Sequence, residues 1–264
     1  MKIKVISLRR SEGRRNSFSE ANQRLEYEFF DAVDGAALSD DEKEDGRYFA
    51  RDLGYSKGAY GCALSHIKLW ERCSASQEAL TIAEDDAVFR ADFESEAKRF
   101  IASLPPDWDM VLWGWNFDTI LGLEFMRNVS PAFMKFDQDQ MRKGLDFFVS
   151  SVEKANAFRL SMALGIPAYT LSPKGAKTLL DRCLPLKRHL IDVPLMGRSF
   201  TNTGIDNQMN LVYPEINAFV ALPPLVVTLN ENSKSTVQKR KGVASRWFKK
   251  VKTSIRKSLG KRNF

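Results

Sequence analysis

Ala79-Leu-Thr-Ile-Ala83, running straight into Glu84-Asp85-Asp86, is the most informative stretch of the chain. The apolar and β-branched run suits a buried strand, and the abrupt change to three carboxylates marks its end. Adjacent acids repel one another unless something positive offsets them. Ligands of open α/β sheets bind beyond the carboxyl ends of the strands. A hard divalent cation bridging to a diphosphate fits such a place, because it prefers oxygen ligands and shares its sphere with phosphates. On local pattern alone, a helix cap or a solvated acidic turn explains the triplet equally well.

Outward from that strand, short apolar runs alternate with helical periods. Ile3–Leu8 reads as a strand, Arg14–Leu25 as a helix, and Tyr27–Val33 as a strand broken by Asp34-Gly35. Ala36–Gly54 is polar loop or short helix. Tyr60–Ser74 carries Leu64, Ile67, Leu69 and Trp70 at roughly helical spacing. Asp92–Leu104 is helical up to Pro105-Pro106, Met110–Trp115 is a strand, and Pro167–Leu171 another. Ser172-Pro173 opens a helix through Leu184, the Ser hydroxyl capping an orphan N–H and Pro having none to satisfy. Gly204–Val212 is helical, and Ile216–Thr228 holds one or two last strands. Asn116–Gly165, rich in Phe and Met, has no clean period and stays unassigned. The alternation predicts an α/β fold, a largely parallel sheet with helices on both faces.

Charge sharpens the picture. The 264 residues carry a formal +7, yet twelve of the forty Lys/Arg fall between Asn232 and Phe264, where there is no Asp or Glu. Residues 1–231 therefore carry −5, which argues against a nucleic-acid groove across the fold. Cys62, Cys73 and Cys183 are odd in number and lie in no CxxC arrangement, so neither a disulfide framework nor a zinc knuckle is supported. Two histidines, His66 and His189, argue against a His-rich metal site. The N-terminus lacks the apolar run of a secretory signal, and no run approaches the ~18–20 apolar residues of a membrane span. A reducing cytosol is the expected compartment.

Several residues are candidates for chemistry. Arg9, Arg10, Arg14 and Arg15 follow the first strand, where guanidinium groups can pair with phosphates at the same sheet edge as the acidic triplet. A solvated helix start is the plainer explanation. Asp34 can accept from a base or ribose donor, although turn chemistry explains Asp34-Gly35 as well. Asp192 and Asp206 are acids in the half of the chain expected to face an acceptor, each suited to general base or helix cap. Asp107-Trp108-Asp109 precedes its strand and Asp137-Gln138-Asp139 follows none, so both read as structural. Ser65-His66 lacks the GxSxG elbow of a hydrolase, which leaves His66 as a hydrogen-bonded residue near the cleft.

The ordered set of motifs resembles glycosyltransferase family 25, the lipooligosaccharide-type bacterial transferases related to collagen galactosyltransferases. The carrying residues are Val5-Ile-Ser-Leu-Arg-Arg10 with Arg14-Arg15, Phe30-Asp-Ala-Val-Asp-Gly35, Gly58-Ala-Tyr-Gly-Cys-Ala-Leu-Ser-His66 with Leu69-Trp70, and Ile82-Ala-Glu-Asp-Asp86. Ala168-Tyr-Thr-Leu-Ser-Pro-Lys-Gly-Ala176 with Leu179-Leu180, and Ile191-Asp192, complete it over about residues 1–215. The resemblance implies a GT-A-like (Rossmann-like) fold and an inverting, manganese-dependent transfer of a hexose from a UDP-sugar, galactose foremost. The acceptor it implies is a lipopolysaccharide or lipooligosaccharide core or a related surface glycan. By position, Glu84 and Asp86 would hold the metal. Leu8, Arg10, Arg14, Asp34, Glu84 and Asp85 would meet the sugar-nucleotide, while Gly61, Ser65 and His66 shape its pocket. Asp192 would be the acceptor-side acid, with Asp206 beside it as a catalytic candidate. Ala83 departs from the larger aliphatic residue usual before the triplet, a packing change that leaves the carboxylates intact. A sugar-nucleotide hydrolase, a nucleotidyltransferase and a non-catalytic adaptor are the competing readings.

The tail, 232–264, reads separately. Val243, Trp247, Val251, Ile255 and Leu259 recur every four residues among Lys249, Lys250, Lys252, Arg256 and Lys257. Such a stripe predicts a basic amphipathic helix over 239–262, lying on an anionic membrane, with a disordered basic tail and a nucleic-acid-binding arm as the alternatives. The expected location is thus peripheral, on the inner face of the cytoplasmic membrane, where a glycolipid acceptor would be met.

Overall fold

The computed structural model describes residues 1–193 and 195–229. In chain order these form β1 (Lys2–Ser7), α1 (Glu12–Ala21), β2 (Glu28–Asp31), α2 (Asp40–Lys43), α3 (Lys57–Ser74), β3 (Leu80–Glu84), β4 (Ala87–Phe89), α4 (Phe93–Ala102) and β5 (Met110–Leu112). Then follow β6 (Ile120–Met126), β7 (Ser130–Lys135), α5 (Gln138–Lys143), α6 (Leu145–Ser150), β8 (Asn156–Ala163), β9 (Ala168–Leu171) and α7 (Pro173–Cys183). Last come β10 (Leu190–Val193), β11 (Arg198–Thr201), α8 (Ile205–Met209), β12 (Ala218–Leu222) and β13 (Val226–Thr228). The strand and helix starts expected from periodicity and capping are met within a few residues. Ser172, for one, caps α7, its Oγ accepting from Gly175 N at 3.0 Å.

Nine strands make one sheet in the order β2-β1-β3-β9-β5-β12-β8-β6-β7. Pairing is parallel across β2, β1 and β3 and again between β5 and β12. β9 enters antiparallel between β3 and β5, and β8, β6 and β7 continue antiparallel. The α/β class with helices on both faces is therefore what the chain adopts, in a mixed sheet that is parallel across β2-β1-β3 and at β5-β12 and antiparallel elsewhere. β10–β11 and β4–β13 are separate two-stranded ribbons.

Alternation along the strands divides the core. Leu80, Ile82, Met110, Leu112, Tyr169 and Leu171 face α3 and α7, burying Ile67, Trp70 and Leu179. Ile3, Val5, Ala83, Val111 and Trp113 face the other way, onto Phe18 of α1 and Phe93 and Phe100 of α4. Both faces are dry, which is why the strands read as continuous apolar runs. The same alternation sends Glu84 toward α3 when β3 runs out into the cleft. No helix among the described residues is long and apolar enough to cross a membrane. The basic stripe over 239–262 lies outside the described residues, and with it the expected boundary at 231/232.

Candidate functional site

Parallel pairing brings the ends of three strands to one place. Ser7 sits opposite Asp31, and Ile6 opposite Glu84, so the segments after β1, β2 and β3 leave the same sheet edge. They enclose a cavity of about 220 Å³, lined in part by Leu8, Arg10, Arg14, Asp34, Glu84 and Asp85. A larger cavity, about 560 Å³, lies around Asn22 and Arg90. There the polar groups are already paired, Arg90 with Asp92 and the Glu153 carbonyl, Asn22 with the backbone of Ala87 and Phe89. Size alone does not find the site.

At the smaller cavity the arginines meet carboxylates. Arg10 forms a two-point pair with Asp34, and its hydrogen bond holds that carboxyl below the ordinary range. Arg14 binds Asp85 through Nε (2.8 Å), while Ser7 Oγ donates to the second Asp85 oxygen (2.7 Å). Asp85 is thereby committed to the scaffold. Arg14 reaches Asp86 only at 3.8 Å. Arg15 turns away, donating to the Ser7 carbonyl and lying over the Phe29 ring, and so has a structural task.

The floor is built by close backbone contact. A Cβ on Gly61 would fall 2.4 Å from the Val33 carbonyl oxygen, and one on Gly35 would fall 1.7 Å from that of Lys57. Only glycine lets the segment after β2 lie directly on α3. Ser65 fastens the same seam: its Oγ accepts from Val33 N (2.9 Å) and donates to the Gly61 carbonyl (2.7 Å). Gly61 and Ser65 thus hold the segment after β2 against α3, while Val33 and Gly35 of that segment line the cavity.

Behind the floor lie groups whose charges are not balanced. Burial, then the nearby Asp206 and Asp85 charges, push Glu84 up to about 8, and burial with Glu84 pushes Asp86 up to about 7. About a third of each side chain is exposed, and Glu84 lines the cavity. Asp206 is also raised by burial, although one of its oxygens accepts from Gly165 N at 2.9 Å. His66 is buried and held neutral, its pKa lowered to about 4. It therefore supplies no compensating charge. Asp86 Oδ1 and His66 Nε2 are buried atoms with no hydrogen-bond partner among the described residues. Glu84 and Asp86, the latter with an unpartnered buried oxygen, are oxygen donors of the kind a divalent cation takes.

Asp192 lies apart, exposed on β10 in its two-stranded ribbon opposite Ser199. Asp109 and Asp137 are structural as expected. Asp109 accepts from Asn217 N (2.8 Å) and Asp137 caps α5 by accepting from Gln140 N (3.0 Å). Three further residues reach the cluster without having been singled out: Cys62, Tyr169 and Trp70. Tyr169 Oη lies 2.8 Å from His66 Nδ1 and accepts from Trp70 Nε1 at 2.7 Å. Cys62 and His66 stand four apart on α3, a spacing that puts both on one helix face and was legible in the sequence.

A sequence model of glycosyltransferase family 25, described as an LPS biosynthesis protein, matches residues 1–194. The chain belongs to glycosyltransferase family 25. The matched stretch of this family 25 chain includes Arg10, Arg14, Asp34, Glu84, Asp86 and Asp192 and stops before Asp206. It is 34% identical over 121 residues to a putative glycosyltransferase, R655, of Acanthamoeba polyphaga mimivirus, covering 43% of this chain and 37% of that one. It is 35% identical over 133 residues to a glycosyltransferase 25 family member of Aedes aegypti, covering 42% and 21%. The match thus spans well under half of either relative's length. Among solved structures, the inositol-1-phosphate CTP transferase of T. maritima aligns over 89% of this chain and 91% of its own at 11% identity, TM-score 0.38. A197 from STIV aligns over 92% and 98% at 11% identity, TM-score 0.33. Likenesses that loose carry no argument about function.

Proposed function

We propose that this glycosyltransferase moves a hexose from a UDP-sugar, UDP-galactose foremost, to a hydroxyl of a lipopolysaccharide-type or related surface glycan, with inversion. The observation that supports this most is the convergence of Glu84 and Asp85 with Arg10 and Arg14 on one cavity at the ends of β1, β2 and β3, where burial raises the Glu84 carboxyl. Glu84 and Asp86 would hold a divalent cation, manganese in the family's usual chemistry. When bound, that ion supplies positive charge for the departing diphosphate. Arg10 and Arg14 are placed to meet phosphate oxygens, and Asp34 to accept from the nucleoside. The Gly35–Gly61 contact keeps the pocket floor thin, so the donor lies against backbone.

The step is an in-line displacement. The acceptor oxygen forms a bond to the anomeric carbon as the carbon–oxygen bond to the diphosphate breaks, and a carboxylate takes the hydroxyl proton. Asp206 is the better placed base, since burial raises its proton affinity and it sits within electrostatic reach of Glu84. Asp192, exposed on its ribbon, serves the acceptor side. The basic stripe over 239–262 would keep the enzyme on the inner face of the cytoplasmic membrane, beside a glycolipid acceptor.

The test is a panel of UDP- and GDP-sugars incubated with purified protein, with and without EDTA and manganese. Metal-dependent release of UDP, followed by a glycosidic product once an acceptor is added, is expected. Full turnover in EDTA would remove the metal from this reading, and GDP-sugar preference would remove the donor. Co-sedimentation with anionic vesicles should be lost on truncation after Asn230.

A further inference from the structure

Cys62, His66 and Glu84 stand together at the back of the cleft, and their sulfur, nitrogen and oxygen atoms all lie within 4.8 Å of one another. No other three Cys, His, Asp or Glu donors come that close among the described residues. Cys62 and His66 come from successive turns of α3, while β3 delivers Glu84, whose Oε1 lies 3.7 Å from His66 Nε2. That separation is too long for a hydrogen bond and close to what two ligands of one small ion require. His66 is fully buried, yet its Nε2, the nitrogen nearer Glu84, has no hydrogen-bond partner among the described residues. Its other nitrogen is held by Tyr169 (2.8 Å), itself fixed by Trp70 (2.7 Å), with the imidazole stacked on the Tyr169 ring. A ring anchored through one nitrogen and open at the other is how a histidine is oriented toward a metal.

We propose that Cys62, His66 and Glu84 form a binding site for a thiophilic divalent cation of the zinc class. One thiolate, one imidazole and one carboxylate match the borderline ligand preference of zinc and suit manganese poorly. Three protein ligands leave a fourth position, and it opens on the cavity that Cys62 and Glu84 both line. The Cys62 proton passes to water as sulfur takes the ion. The site goes beyond the sugar-transfer reading and shares only Glu84 with it. An ion held here withdraws Glu84 from the carboxylate pair, so zinc and manganese compete.

Cobalt(II) titrated into the full chain tests the site without reference to turnover. The expected spectrum has a thiolate-to-cobalt charge-transfer band and the intense visible bands of a four-coordinate ion. The charge-transfer band should vanish in Cys62→Ser and Cys62→Ala and persist in Asp86→Asn. Zinc affinity, measured against a chromogenic chelator, should weaken at least about tenfold in Cys62→Ala. A wild-type spectrum with no thiolate band, or a band unchanged in Cys62→Ser, overturns the proposal. Should both Cys62 variants fail to fold, alkylation of wild-type protein decides. Zinc should protect Cys62 from iodoacetamide, and equal labelling with and without zinc overturns the site.

Discussion

The two ends of the main sheet handle their strand termini differently. Across β2, β1 and β3 the pairing is parallel, so three consecutive strand ends deliver Ser7, Asp31 and Glu84 to one edge. Across β8, β6 and β7 it is antiparallel, so successive ends alternate between edges and no such convergence arises. The first region gathers carboxylates it cannot balance alone. The second leaves Phe125, Met126 and Val129 exposed around a hairpin turn, with no titratable cluster among them. Parallel pairing brings titratable groups together, and burial there raises the carboxyls of Glu84 and Asp86.

The sharpest way to break that contrast is to remove one carboxylate from the crowded edge. Asp86→Asn should lower transfer by at least about 10²–10³-fold, the scale of losing a group that stabilises transition-state charge. The same change should raise the melting temperature of the chelated protein, because a repelling, half-solvated charge is gone. Wild-type turnover in Asp86→Asn would mean the triplet is an acidic turn and nothing more. Asp206→Asn keeps an oxygen for Gly165 N and should cost about 10²–10⁴-fold in kcat if it is the base. An equal loss in Asp192→Asn with Asp206→Asn intact would exchange their roles.

Much of the first region was readable because its signals are local. Ala79–Ala83 ends in acids, Ser172-Pro173 caps a helix, and the glycines at 35 and 61 sit in recognisable motifs. Asn116–Gly165 was not, for a physical reason. Register shifts between Gly122 and Leu123, and between Leu123 and Met126, break the two-residue alternation on which strand reading depends. Exposed Phe125 and Met126 then obscure which face is inside. Nor did any local pattern place Glu84 against His66. That contact depends on α3 packing over β3, which only the assembled sheet decides.

The next effect is on stability. In Gly61→Ala the added Cβ meets the backbone of Val33 and Gly35, at 2.4 and 2.5 Å, and backbone cannot swing aside. A loss of about 1–3 kcal/mol in denaturant unfolding is expected, with weakened donor binding. Gly13, in α1, has nothing within 4 Å of its Cβ position, and Gly13→Ala should gain about 0.5–1 kcal/mol. If the two variants behaved alike, the close seam between α3 and the segment after β2 would be wrong.

The response to pH is read as a slope rather than as a loss. The ordinary pKa values of Glu84 and Asp86, 4.5 and 3.8, are raised to about 8 and about 7 in the fold. Between those limits the folded chain binds more protons than the unfolded one, so stability falls as pH rises. The contribution is fully present below pH about 4 and is lost as pH climbs through about 8. In EDTA, the melting temperature should therefore decline from pH 5 toward 8, and the decline should flatten in Glu84→Gln. A divalent ion should raise it more at pH 8 than at pH 6, since deprotonated carboxylates bind it better. The exposed apolar residues of the antiparallel end provide the control: Val129→Ser, at a position 75% exposed, should shift the whole curve by less than about 0.5 kcal/mol without changing its slope. A slope that survived in Glu84→Gln would move the source of the pH dependence away from the acidic edge.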